Sequence, residues 1–331
     1  MESTVKKQRD LYIDAAKGLC IIGIIFIHTV FYSGSDYVPG IIRNLSLFLD
    51  VPAFFFLTGC TLSIHKSLNP IKQMTKLIII FASIYLFFML LFGPYSLDII
   101  YPLFLQTGTI NLLPVIGGSY WFVPVYVVSL IYADMIIKYL NKNISSLLLI
   151  IIPVYYLVLW VNNITMDNKM LGCKIQMVLF YLWLILLGYK LYNKPQNKIY
   201  RISFVIASII GLLFLKMNHI DLFLQNYKFP VMQLPYILAS LLSIGLILIL
   251  KREIKENFLT GIGQKAIFFY ASQGISSSII YLLKDIPLNI YLKLPLCFIT
   301  NCILAYIIGI GLYKLFGKFG NLLLKEEQKF F

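Results

Sequence analysis

The chain has 331 residues, of which 60% are apolar and 13% charged, and its mean hydropathy is +0.84. Soluble domains carry about 45–50% apolar and about 25% charged residues, so an ordinary cytosolic enzyme and a disordered chain are both excluded. Five cysteines without regular spacing exclude a secreted disulfide scaffold. A net charge of +14, from 28 Lys and Arg against 14 Asp and Glu, follows from basic residues retained in cytoplasmic loops and requires no nucleic-acid partner. The partner this composition demands is the lipid bilayer. At roughly 20 residues per span, about ten helices would use some 200 residues and leave only short loops.

Ten apolar runs follow one another at roughly 15–33, 45–65, 76–93, 119–137, 144–161, 174–192, 200–215, 231–250, 262–282 and 294–313. The third, LIIIFASIYLFFMLLFG after Lys76, and the eighth, ending LLSIGLILIL before Lys251, are nearly pure hydrocarbon. The second and ninth contain polar residues. The opening MESTVKKQRDLYIDAAKG is too charged and too long for a signal peptide, so the first run reads as a retained helix. With the N-terminus inside, 21 basic residues fall in cytoplasmic segments and seven in external ones, which predicts an N-in, C-in chain. No Lys or Arg occurs between Lys76 and Lys138, so the loop at 94–118 is expected outside. No internal repeat is visible. The expected fold is all-α and polytopic, a single membrane-embedded domain over 1–331 with no soluble domain.

Charges inside spans are costly and normally face a protein interior or a wet cavity. The first run carries Asp14, Lys17 and His28. At about 100° per residue, Lys17 and His28 are offset by only some 20° and Asp14 and His28 by about 40°, so all three share one face. Asp14 and Lys17 sit at the cytoplasmic mouth, with His28 roughly 16 Å further along. An imidazole there can serve as a general base near neutral pH or carry a group, and the lysine can meet a phosphate as a point charge. The plainer alternative is a hydrogen-bonded core histidine and a lysine placed by the positive-inside rule. Asp50, in SLFLDVPAFFFLTGC, stands near the outer end of the second run, where Pro52 would loosen the helix. Asp134 near the inner end of the fourth run reads as a snorkelling carboxylate. The ninth run strings Tyr270, Ser272, Gln273, Ser276, Ser277 and Ser278 along an apolar helix, either as interhelical hydrogen-bond glue or as the lining of a polar path. Trp121 opens the fourth run, a position typical of an interfacial aromatic belt. Cys297 and Cys302 lie about 140° apart round a helix, and no metal site is expected.

Taken together these segments resemble the acyltransferase-3 family of integral membrane acyltransferases, from about residue 9 to residue 315. RDLYIDAAKGLCIIGIIFIHTV is similar to the family's opening: an acidic residue, a basic residue and, ten residues further on, a histidine, here Asp14, Lys17 and His28. VPAFFFLTG (51–59), YWFVPVY (120–126), LLGYKL (186–191) and GIGQKAIFFYASQ (261–273) resemble its later blocks in the right order. The chain departs from the pattern at Lys17, where Arg is commoner, at Asp50 and Gln273, where many relatives have His, and at Ala266, which replaces Ser. The Arg that often leads the third span is absent, with Lys72 and Lys76 as nearest substitutes.

The resemblance implies an enzyme that moves an acyl group, usually acetyl, from cytoplasmic acetyl-CoA or another acyl-CoA to a hydroxyl of a cell-envelope glycan or lipid-linked sugar. It implies His28 as the catalytic histidine, Lys17 with Asp14 on the acyl-CoA side, and Asp50, Trp121, Tyr270 and Gln273 along the acceptor path or in support. A Lys- and Ile-rich chain fits an AT-rich bacterial genome, and the expected location is the bacterial plasma membrane. The alternative is a transporter that exports a glycan intermediate, although inverted repeats typical of transporters are not evident.

Overall fold

A bilayer offers no water to unpaired backbone groups, so a chain this apolar must satisfy its peptide groups within helices. The computed structural model describes residues 9–34, 37–65, 70–92, 120–140, 142–164, 169–170, 173–192, 198–228 and 233–325; the loop expected outside at 94–118 is not among them. Each of the ten apolar intervals contains a helix. In chain order the elements are α1 (Leu11–Tyr32), α2 (Gly40–Ser46), α3 (Val51–His65), α4 (Pro70–Phe92), α5 (Phe122–Tyr139), α6 (Lys142–Val161), β1 (Lys169–Met170), β2 (Cys173–Lys174), α7 (Ile175–Leu191), α8 (Lys198–Met217), α9 (Leu224–Lys228), α10 (Leu234–Ile249), α11 (Phe258–Gly263), α12 (Ala266–Tyr281) and α13 (Ile290–Lys325). The two short strands form one antiparallel pair.

Among the described residues, six helical segments are long and apolar enough to cross a bilayer: Leu11–Tyr32, Gly40–Ile64, Gln73–Leu91, Phe122–Tyr139, Asn143–Val161 and Ile290–Gly317. Ile175–Leu191 and Leu234–Ile249 are apolar but shorter. The chain is a multi-pass, all-α membrane protein.

Two expected spans are interrupted near their starts. The second is divided at 47–50, so Pro52 does not loosen a continuous helix; it stands in the first turn of α3, where a missing N–H costs nothing. The ninth is divided after Gly263, and Asn257 caps α11 in a reciprocal capping box with Thr260.

Helix α7 is the core of the bundle, with nearly every side chain from Gln176 to Gly188 buried. It packs closely on α3 because glycines meet there: a Cβ at Gly59 would overlap the Ile185 carbonyl oxygen, and one at Gly188 would overlap that of Phe56. Small residues allow this approach, the usual route to tight helix pairing in membranes. On the outer helices Ile150, Val158, Ile210 and Phe214 are exposed, as lipid-facing side chains are.

Cross-links at the helix ends fix which termini are neighbours. At one end the start of α1 meets the ends of α7 and α10: Tyr192 donates to Asp10 Oδ2 at 2.5 Å and Tyr12 to the Ile247 carbonyl at 2.5 Å. Asp10 also caps α1 by accepting from the Tyr12 and Ile13 amides. Lys251 at this end lies 3.4 Å over the Tyr192 ring; burial pulls its ammonium below the ordinary lysine value, and the Asp10 carboxylate opposes that. At the opposite end Asn44 joins α2 to Leu222 and Leu224 beside α9.

Candidate active site

The start of α1 opens onto a cavity of about 250 Å³. Arg9, Lys17 and Lys76 bring three cations to it, with Thr58, Thr61, Gln73 and Gln264 between them. Its remaining lining is largely apolar and aromatic: Phe54, Leu77, Phe122, Tyr126 and Tyr270. Arg9 is more than half exposed whereas Phe54, Phe122 and Tyr270 are buried, so Arg9 marks the mouth and the rings the floor, with Lys17 and Lys76 partly buried between them. Arg9 grips the buried Asp14 carboxylate through two contacts, Nε to Oδ2 at 2.5 Å and Nη2 to Oδ1 at 3.1 Å. Lys17 Nζ donates instead to Thr61 Oγ1 at 2.9 Å, with Asp14 acting on it through space. A cationic rim over an aromatic floor suits a ligand with a phosphate head and a less polar tail.

Beyond the floor lies a second cluster. Asp50, buried at the break before α3, accepts from Lys228 Nζ at 2.5 Å and from the Tyr236 hydroxyl at 2.7 Å through one oxygen. Its other oxygen accepts from the Val51 amide at 2.7 Å. Lys228 Nζ also sits 5.7 Å from the Trp121 ring centre. Trp121 is therefore turned into the bundle beside Tyr181, rather than standing in an outer belt. Phe54 follows Asp50 by one turn and Phe122 follows Trp121 directly, so this cluster backs onto the cavity floor. His28 stacks on Tyr32 at 5.5 Å, and both Asp50 and Lys228 act on it electrostatically. Its Nδ1 is buried with no hydrogen-bond partner among the described residues.

Of the residues the sequence singled out, Lys17 and Tyr270 line the cavity, and Asp14 is held against its rim by Arg9. Asp50 and Trp121 belong to the inner cluster, and His28 lies within its electrostatic reach. Gln273 is fully buried, with neither amide atom paired among the described residues. The serines around it behave differently. Ser272, Ser276 and Ser278 donate to carbonyls of their own helix, and Ser277 is bridged to another helix by Asn301 Nδ2 at 3.1 Å. Asp134 forms an i,i+4 ion pair with Lys138 at 2.7 Å.

The sequence model of a family described as an acyltransferase domain matches residues 10–314 of this chain. The chain belongs to the acyltransferase-3 family. No curated protein and no solved structure matches it. This acyltransferase-3 protein is accordingly a membrane acyltransferase, and its match covers the inner cluster and every cavity-lining residue except Arg9. Sequence reasoning missed Arg9, Thr61, Lys228 and Tyr236. Arg9 was in view as part of a basic N-terminus. Lys228 carries no signal of its own: it stands with Lys216, Asn218, His219, Asp221 and Asn226 in the polar stretch between the seventh and eighth runs, where the positive-inside count takes it as an external charge.

Proposed function

We propose that the protein transfers an acetyl or similar short acyl group from cytoplasmic acyl-CoA to a hydroxyl of a cell-envelope or surface glycan, in the bacterial plasma membrane. The observation that carries this reading is the cavity at the start of α1, with Arg9 at its mouth, aromatic rings at its floor and Lys17 and Lys76 between them. The CoA phosphates meet the three cations, and the pantetheine arm lies along Phe54, Tyr126 and Tyr270. The 21-to-seven division of basic residues supports a cytoplasmic mouth and the reading of ten spans between two cytoplasmic termini.

His28 lies about 16 Å beyond Lys17 along α1, by the rise of a helix, and an extended pantetheine arm bridges that separation. The imidazole takes the proton of the acceptor hydroxyl as its oxygen bonds to the acyl carbon. The thioester C–S bond then breaks, and the proton passes to the departing CoA thiolate. Asp50 and Lys228 act on His28 from the cluster behind the cavity floor, and the acceptor arrives past Trp121.

The test is turnover of radiolabelled acetyl-CoA by purified protein in nanodiscs, with envelope extract as acceptor. We expect CoA release and label transfer by the wild type and a loss of about 10²–10⁴-fold in His28→Ala, at an unchanged yield of folded protein. Normal transfer by His28→Ala would exclude this role for the histidine. Failure of the wild type to bind or turn over any acyl-CoA would favour glycan export.

A further inference from the structure

On α12 the cavity-lining residues Ala266, Ile267 and Tyr270 follow a helical stripe. At a spacing of three and four residues, the next positions on that stripe are Gln273 and then Ser277. Ser277 is bridged by Asn301 Nδ2 to Thr29 Oγ1, at 3.1 and 2.9 Å, and Thr29 is the neighbour of His28 on α1. Gln273 thus lies between the cavity floor and the level of the histidine. It is fully buried, and neither its Nε2 nor its Oε1 has a partner among the described residues. Asn301 Oδ1, on the side chain that bridges Ser277 to Thr29, and His28 Nδ1 beside Thr29 are likewise buried and unpaired among the described residues. Finished folds pair nearly all such atoms, so an unpaired buried amide one turn past the cavity-lining Tyr270 marks a place where something polar is received.

We infer that Gln273 receives the acyl carbonyl: its Nε2–H donates to the thioester oxygen and holds that oxygen while the acyl carbon becomes tetrahedral. Such a donor counts most where water is excluded and charge develops on the oxygen. Approach from the cavity side assigns Gln273 to the acyl donor rather than to the acceptor glycan. The inference rests on the acyl-transfer reading above.

Gln273→Met keeps the volume and removes the amide, and Gln273→Leu serves as a second variant. Both are assayed with acetyl-CoA beside the wild type and His28→Ala, with thermal unfolding of each. We expect kcat to fall roughly 100-fold while KM for acetyl-CoA changes little. The unfolding midpoint should stay level or rise, because the change removes an unpaired buried amide. Turnover near the wild-type rate overturns the inference and leaves the acyl-transfer reading standing. So does a lower midpoint with loss of folded protein in both variants, which would mean that the fold itself uses the amide. Absence of any His28-dependent turnover in the wild type removes the reading and this inference together.

Discussion

At the scale of single residues, the Asp50–Lys228 pair carries the sharpest energetic consequence. Both side chains are almost wholly buried, and the carboxylate's other bonds, from Tyr236 and the Val51 amide, leave no slack for a missing cation. Removing one partner of such a pair typically costs about 3–5 kcal/mol, because the remaining charge has no water to turn to. Lys228→Met should therefore lower the thermal midpoint in detergent sharply, and Asp50→Asn combined with Lys228→Met should recover most of the loss. A full double-mutant cycle reads the coupling. The carboxylate was legible in the sequence because an Asp inside an apolar run is anomalous on its own. Its lysine was not, because a basic residue between two spans is ordinary. Only tertiary packing brings together residues 178 positions apart. His28, Lys17 and Asp14 were legible for the opposite reason: they share one helix, and helical spacing alone sets their face. Arg9 shows the limit of that logic, for it takes the Asp14 carboxylate from just outside the helix.

The helices themselves could be read almost directly, since a run of hydrocarbon about 20 residues long has few other uses. Their interruptions were legible in part: Asp50 with Pro52 marked the break before α3, whereas the division after Gly263 had no clear warning. What a single sequence could not show was which helices touch. The contact of α3 with α7 depends on Gly59 and Gly188, which look like any other glycines until a carbonyl oxygen is found against each. Gly188→Ala should destabilise the fold by about 1–3 kcal/mol, the usual range for overpacking, or more if the backbones cannot part. Gly261→Ala, where a Cβ meets nothing within 4 Å, is the matched control and should leave the midpoint unchanged or slightly raised. Thermal unfolding of the two variants side by side in detergent checks this.

For the whole molecule, orientation is the property that decides which compartment supplies each substrate. The basic residues predict that the turn at 282–289 is outside and the segment at 251–257 inside. The native cysteines give little background, since four of the five are buried. Asp285→Cys should react with a membrane-impermeant maleimide on intact cells, and Glu256→Cys only after the membrane is opened. The reverse pattern would invert the chain and place the cavity mouth outside, where no acyl-CoA is found.

The aromatic floor of the cavity has a meaning for the cell as well as for a ligand. Among the described residues, the cavity lining stops at Phe54, Phe122 and Tyr270, and what lies behind is a mutually neutralising ion pair. A cavity floored in this way helps the bundle keep its electrical resistance. Chemistry at its centre then need not short-circuit the membrane potential, provided the rings part only as far as a passing acyl group requires. The floor is insulation, and it sets an upper limit on how wide any route through the protein may open.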